Sequence, residues 1–352
     1  MNKKELSMVL GDPDVQFNLG VSYANGEGVA QSDKEAFKWY LKSAEQGRDG
    51  AQFNIGVYYE HGKGVKQNAK KAFKWYLKSA NQGYANAQFN LAALYGNGNG
   101  VKRDSTEAVR WLQKAAKQGD ADANLMLGVS YFHGIGIKQD YVKASKCYFQ
   151  SAEQGNAEAQ CCLGCCLDRG FGVPQNLSEA VKWYRKGAEQ GNARAQYNLG
   201  TCYGNGTGVK KNPAEAVKWL LKAGKQGYVD AQFSLGNCYA QGCGVKKNDT
   251  EATKWYRNAA EQGHITAQFK LGNAYTNGTG TKQNAIEAAK WFLKAAEQGH
   301  VDSQFNLGFF YTIGAGVKRN FKEAFKWNFK AAEQGDAGAQ AKVGHFYAIA
   351  AR

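Results

Sequence analysis

Proline is scarce in this sequence, three residues out of 352, and nowhere do about 18 apolar residues run uninterrupted, so no membrane-spanning helix is expected. The opening stretch MNKKELSMVLGDPD carries two lysines but lacks the apolar core of a secretory leader. This points to a cytoplasmic protein, unless it leaves the cell by a route that needs no leader. No serine is followed three residues later by lysine, which removes the usual acylating signature of beta-lactam-recognising proteins. Acidic residues are also in short supply, 30 against 45 basic ones, and the formal net charge is +15. That excess raises a sequence-independent contact with nucleic acid or anionic membrane as a reading to be weighed.

Glycine, by contrast, is abundant: 43 residues, without collagen's three-residue period. Such enrichment calls for a search for internal repeats. Written in rows of 36, the sequence aligns from end to end without an insertion, and 37 of the 43 glycines fall into four columns, headed by Gly11, Gly20, Gly26 and Gly28. Ala92 is the only substitution in them. All eight tryptophans share another column, headed by Trp39, with Cys147 in the ninth place.

Each row reads as two short helices. Helix A, for example DVQFNLGVSYA at 14–24, sets Val15, Leu19, Gly20 and Tyr23 at helical spacing and stops at NGEG. Helix B, SDKEAFKWYLKSAEQG at 32–47, sets Ala36, Trp39, Tyr40 and Ala44 on one face and ends at Gly47. Its N-cap column runs Ser32, Asn68, Asp104, Asp140, Asn176, Asn212, Asn248, Asn284, Asn320. Glutamate follows three residues later in seven of the nine copies, the pattern of a capping box.

These residues carry a resemblance. The stretch AQYNLGTCYGNGTGVKKNPAEAVKWLLKAGKQG at 195–227 resembles the Sel-one-like repeat (SLR), a relative of the tetratricopeptide repeat. The likeness spans nine units, 12–47, 48–83, 84–119, 120–155, 156–191, 192–227, 228–263, 264–299 and 300–335, with a terminal half repeat at 336–352. It implies a single all-α domain over 1–352, a right-handed alpha-alpha superhelical solenoid of 36-residue helix-turn-helix repeats whose A helices line the concave side. Two such short helices cannot bury so wide an apolar stripe alone, so neighbouring units must complete one another's core.

Four of the eight cysteines crowd into QCCLGCCLDRGFG at 160–172, which is helix A of the fifth unit. Cys161 takes the place of an aromatic and Cys147 that of tryptophan, so both read as core residues. Cys162, Cys165, Cys166 and Cys202 could converge on the concave face and offer zinc four thiolates. A Cys-Leu-Gly-Cys inside a helix lacks the turn of a zinc knuckle, so no metal is expected. Cys166, Cys202 and Cys238 share a column in adjacent units, too far apart for disulfides.

No catalytic constellation surrounds His61, His133, His264, His300 or His345, and no cofactor motif appears, so no enzyme activity is expected. NGTG and NGEG follow helices rather than strands and lack Gly-Lys-Ser/Thr, which makes them helix-ending turns instead of phosphate loops. One column, headed by Lys38, is basic in every unit, and another, headed by Lys42, is lysine in seven of nine. Together they form a basic ribbon along the B helices. Interleaved glutamates and nearby tryptophan edges argue against a nucleic-acid role for it.

Columns needed for stacking repeat between units, and columns free of that duty vary. On helix A the variable columns are those of residues 18, 21, 22 and 25, within about a third of the circumference. This ridge contains Asn18, Asn54, Tyr58, Asn90, Cys165, Asn198, Asn237, Asn273, Asn306, Phe309 and Phe310. Asparagine donates and accepts, so a ladder of them could hold an extended peptide, or could bridge adjacent helices. The sequence therefore predicts a monomeric, non-catalytic scaffold or adaptor for a partner protein or peptide. An electrostatic binder of nucleic acid or membrane, and an immunity-type partner of a secreted toxin, are the alternatives.

Overall fold

The computed structural model describes residues 11–350, with side chains to residue 348, so the N-terminal stretch MNKKELSMVL and the side chain of Ala350 lie outside it. The described residues form nineteen helices and no strand, and none of the helices is long and apolar enough to cross a membrane. They fall into two compact units divided after Asn176.

The first unit holds A helices Pro13–Asn25, Asp49–His61, Ala85–Asn97, Ala121–His133 and Ala157–Arg169. Between them run B helices Asp33–Glu45, Ala69–Asn81, Ser105–Lys117 and Tyr141–Glu153. The second unit opens on B helix Leu177–Glu189. It continues with A helices Ala193–Asn205, Val229–Gln241, Ile265–Asn277, Val301–Ile313 and Ala337–Ala350, alternating with B helices Pro213–Lys225, Asp249–Glu261, Ala285–Glu297 and Phe321–Glu333. Within each unit every A helix packs on the B helix that follows it, and every B helix on the A helix of the next repeat. This is the packing of an all-α helical-repeat solenoid.

The start of helix B differs from a full capping box. The forward half forms: Asn68 Oδ1 accepts from Lys71 N at 3.0 Å and Ser32 Oγ from Glu35 N at 3.3 Å. The reciprocal bond from glutamate is not needed, because the cap's own N–H already donates to helix A. Ser32 N reaches Tyr23 O at 2.9 Å and Asn68 N reaches Tyr59 O at 2.8 Å. The glutamate is thereby released to pair elsewhere.

Two glycine columns are fixed by close approach. A Cβ on Gly20 would stand 2.5 Å from the Tyr40 ring and one on Gly56 2.6 Å from Tyr76, so the glycine seats the aromatic ring of the same repeat. Ala92 is the one substitution, and the ring it would meet is absent, because Leu112 stands there. The second column joins successive repeats: a Cβ on Gly64 would collide with the Asp33 carbonyl, one on Gly100 with that of Ala69, and one on Gly244 with that of Pro213. Each turn thus lies with its main chain against the start of the preceding repeat's B helix.

Glutamine supplies a polar link between helices that the sequence reading did not single out. Gln82 Nε2 donates to Gln52 Oε1 at 2.8 Å, and Gln52 Nε2 donates to the Ala44 carbonyl at 3.1 Å. One relay therefore ties a B helix, its own A helix and the preceding B helix. The same relay runs Gln118–Gln88–Ala80 in the first unit, and Gln262–Gln232–Gly224 and Gln334–Gln304–Ala296 in the second.

Candidate partner-binding face

The ridge predicted on the A helices separates into exposed, half-buried and core positions. Asn18 and Phe309 are exposed, while Asn54, Asn90, Asn198, Asn237, Asn273, Asn306 and Cys165 are half-buried. Tyr58 and Phe310 belong to the core instead. Each is 6% exposed and meets another ring edge-on, Tyr58 against Tyr40 at 5.5 Å and Phe310 against Phe292 at 5.4 Å. Their column, that of residue 22, faces the preceding B helix. Its variability between units therefore reflects repacking against neighbours.

Several asparagines are partly committed inside the fold. Asn54 lies beside the Tyr40 phenol of the preceding repeat and Asn90 beside that of Tyr76, while Asn237 Oδ1 accepts from Tyr256 at 2.8 Å. An amide has two donors and two acceptor sites, so one such bond leaves further capacity at a half-exposed position. Burial pushes Tyr40 up to about 12, with Asn54 pulling the other way, and raises Tyr76 further, helped by Glu60. These phenols stay protonated and serve as structural donors or acceptors.

The basic ribbon is occupied by local partners. In seven repeats the Lys38 column pairs with the glutamate three residues before it, as in Lys38–Glu35 at 2.6 Å, Lys182–Glu179 at 2.8 Å and Lys290–Glu287 at 2.7 Å. The Lys42 column lies over tryptophan: Lys114 stands 3.7 Å from the Trp111 centroid, Lys186 3.8 Å from Trp183 and Lys222 3.9 Å from Trp219. Where the tryptophan gives way to Cys147, the lysine gives way to Gln150.

Of the clustered cysteines, Cys161 and Cys166 are buried and Cys162 and Cys165 half-buried. Burial, reinforced by Cys162 and Cys165, pushes the Cys166 thiol up to about 12, the opposite of what a thiolate metal ligand requires. Among the described residues no three His, Cys, Asp or Glu side chains group so as to hold a metal ion. His61, His133 and His345 are exposed, while His264 and His300 accept at helix A N-termini through Nδ1, from Ala267 N at 3.1 Å and Ser303 N at 3.3 Å.

The paired helices, the ring-seating glycines and the glutamine relays define a helical-repeat protein with a variable surface on its A helices. Nine stretches, 13–47, 50–84, 85–120, 121–156, 157–192, 193–228, 229–264, 265–300 and 301–336, match the Sel1 repeat, and the chain belongs to that family. Its members generally mediate protein–protein interaction. Among solved structures, a protective antigen with an SLR fold from uropathogenic Escherichia coli is 39% identical, covering 95% of this chain and 72% of its own, with a TM-score of 0.86. A Sel1 repeat protein from Oxalobacter formigenes is 32% identical over 88% of this chain and 89% of its own, with a TM-score of 0.69. An immunity protein from Pseudomonas aeruginosa matches 60% of this chain and 81% of its own at 22% identity and TM-score 0.40, a likeness that carries no functional argument. A search of curated proteins returns no match.

Proposed function

We propose that this chain is a non-catalytic scaffold that holds a partner protein, or an extended segment of one, on the surface lined by its A helices. One observation carries the reading. Columns that repeat are buried, such as those of Ala36, Leu91 and Gln52, whereas the columns of residues 18, 21 and 25 change chemistry from repeat to repeat and stay at the surface. Met126, Thr201, Lys270 and Phe309 are exposed examples. Variation without a packing duty is what selective recognition needs.

The electrostatic alternative is weakened by the pairing of the Lys38 column with glutamate, since charges already neutralised within a helix release few counterions on binding. The test is photo-crosslinking in the native host with benzoylphenylalanine at Asn18, Thr201 or Phe309, set beside Lys74 and Lys290 on the B helices. Protein adducts confined to the A-helix positions are expected. Adducts only at the lysines, or to nucleic acid, would reject the scaffold reading.

A further inference from the structure

The third repeat and the A helix that follows it depart from the pattern of the second repeat at three positions that line one cavity. In the second repeat a glycine, Gly56, seats the Tyr76 ring, whose phenol donates to Glu60 at 2.6 Å and lies beside Asn90 of the next A helix. In the third, the corresponding residues are Ala92, Leu112 and Met126. A cavity of about 250 Å³ lies where the ring is missing, lined by Phe89, Ala93, Val109 and Val129 along with those three. Met126 and Ile135, at its edge, are 44% and 47% exposed.

The lining is mostly apolar; its neutral polar members are Asn97, Ser105 and Ser130, and the Ser130 hydroxyl is spent on the Met126 carbonyl at 2.9 Å. Its only charged member is Arg103. In five other repeats this position is a glutamine that folds back on helix A, as Gln67 does on Glu60 O at 2.8 Å and Gln139 on Phe132 O at 2.7 Å, and in three it is basic, Lys211, Lys247 and Arg319. Arg103 lines the cavity instead. The acids beside it in sequence are engaged, Asp104 as the cap of Thr106 and Glu107 and Glu107 with Arg110.

We infer that this cavity is a docking pocket for a single large apolar side chain of a partner segment, with an adjacent carboxylate on that segment meeting Arg103. This rests on the scaffold reading and adds to it the chemistry of the guest. Size favours one side chain: pockets for drug-sized ligands begin at about 300 Å³, while an apolar cavity of about 150 Å³ stays dry and takes a benzene. Charge selects the neighbour: the wall has no acid, and an arginine pairs with a carboxylate through two parallel bonds.

The experiment is selection of a random dodecapeptide phage library on the full chain, followed by titration of the enriched peptides by fluorescence polarisation. Three proteins are compared: the native chain, Arg103→Gln, and the triple variant Ala92→Gly, Leu112→Tyr, Met126→Asn, which restores the ring-on-glycine set of the second repeat and fills the cavity. Melting curves establish that both variants are folded. Enriched peptides are expected to share a phenylalanine, leucine or methionine beside aspartate or glutamate. They should bind Arg103→Gln about tenfold more weakly, the loss of one charge-assisted contact, and should lose binding to the triple variant. Peptides that bind the triple variant as tightly as the native chain overturn the pocket and leave the A-helix surface standing. A selection that enriches nothing overturns both.

Discussion

Gly56 and Tyr76 illustrate how a column of the repeat is a pairwise contract between residues. The glycine is fixed by the ring above it, so Gly56→Ala should destabilise the full chain by roughly 1–3 kcal/mol in urea, the cost of overpacking a tight core. Combining it with Tyr76→Leu, the arrangement that Ala92 and Leu112 already show, should recover part of that loss. Additive single effects would refute the coupling. The glycine column, the tryptophan column and the cap column were plain in the sequence because each repeats in nearly every row. The pairing of Lys42 with Trp39 was only half legible: side-chain stacking shows up in sequence as joint loss, Cys147 with Gln150, and one instance is a faint signal. Tyr58 and Phe310 were read as surface because their column varies, but a column can also vary by trading volume with a neighbouring helix.

At the scale of the helix, the glutamine relay and the N-cap make separate predictions. Asn124 stands where other repeats have the relay glutamine. Its shorter arm donates to the Asp120 carbonyl at 2.8 Å and reaches that of Ala116 only at 3.5 Å, and Gln154 turns back to the Gln150 carbonyl. Asn124 borders a cavity of about 400 Å³ beside Cys147, so there is room for another methylene. Asn124→Gln should raise stability by about 0.5–1.5 kcal/mol, read as a higher melting temperature, the net worth of a buried hydrogen bond. The relay escaped the sequence reading because glutamine next to alanine or glycine looks like surface filler until the third dimension brings the columns of Gln16 and Gln46 together, as the 2.8 Å contact between those two residues shows.

His300 gives a pH-dependent counterpart. Burial, with Lys270 adding to it and Asp302 opposing, holds its pKa below the ordinary histidine value. The folded state therefore prefers the neutral ring, whose Nδ1 can accept from Ser303 N, and protonation favours unfolding. The cap's contribution is present above about pH 6.5 and is lost as pH falls from there through the depressed folded-state pKa. His300→Asn places there the residue that caps at Asn156 and Asn192, and it should lessen the fall in melting temperature between about pH 7 and pH 5. An unchanged slope would show that the histidine cap does not titrate.

Across the whole molecule, each repeat buries its stripe only with help from its neighbours, and stability should therefore track the number of interfaces rather than any one core. Excising residues 48–83, one complete 36-residue repeat, should leave a helical chain that melts cooperatively at a lower temperature. The same segment alone should show little helix by circular dichroism. The architecture was legible at this scale because a fixed period is the strongest signal a sequence carries. Recognition was not, since a partner is chosen by the positions where the period lapses, and one sequence offers each lapse only once. The opening beside Arg103 exists through the coincidence of Ala92, Leu112 and Met126, three residues far apart in the row and unremarkable singly.

The glycine turn lying against the start of the preceding B helix has a consequence for how such chains change. That seam joins main chain to main chain, at Asp33, Ala69 and Pro213 alike, and so is indifferent to which side chains the abutting repeats carry. Recombination between misaligned copies in the gene would then add or remove whole modules while leaving this main-chain seam intact. Length and recognition could drift independently, with new combinations of exposed residues arising by shuffling instead of by point mutation.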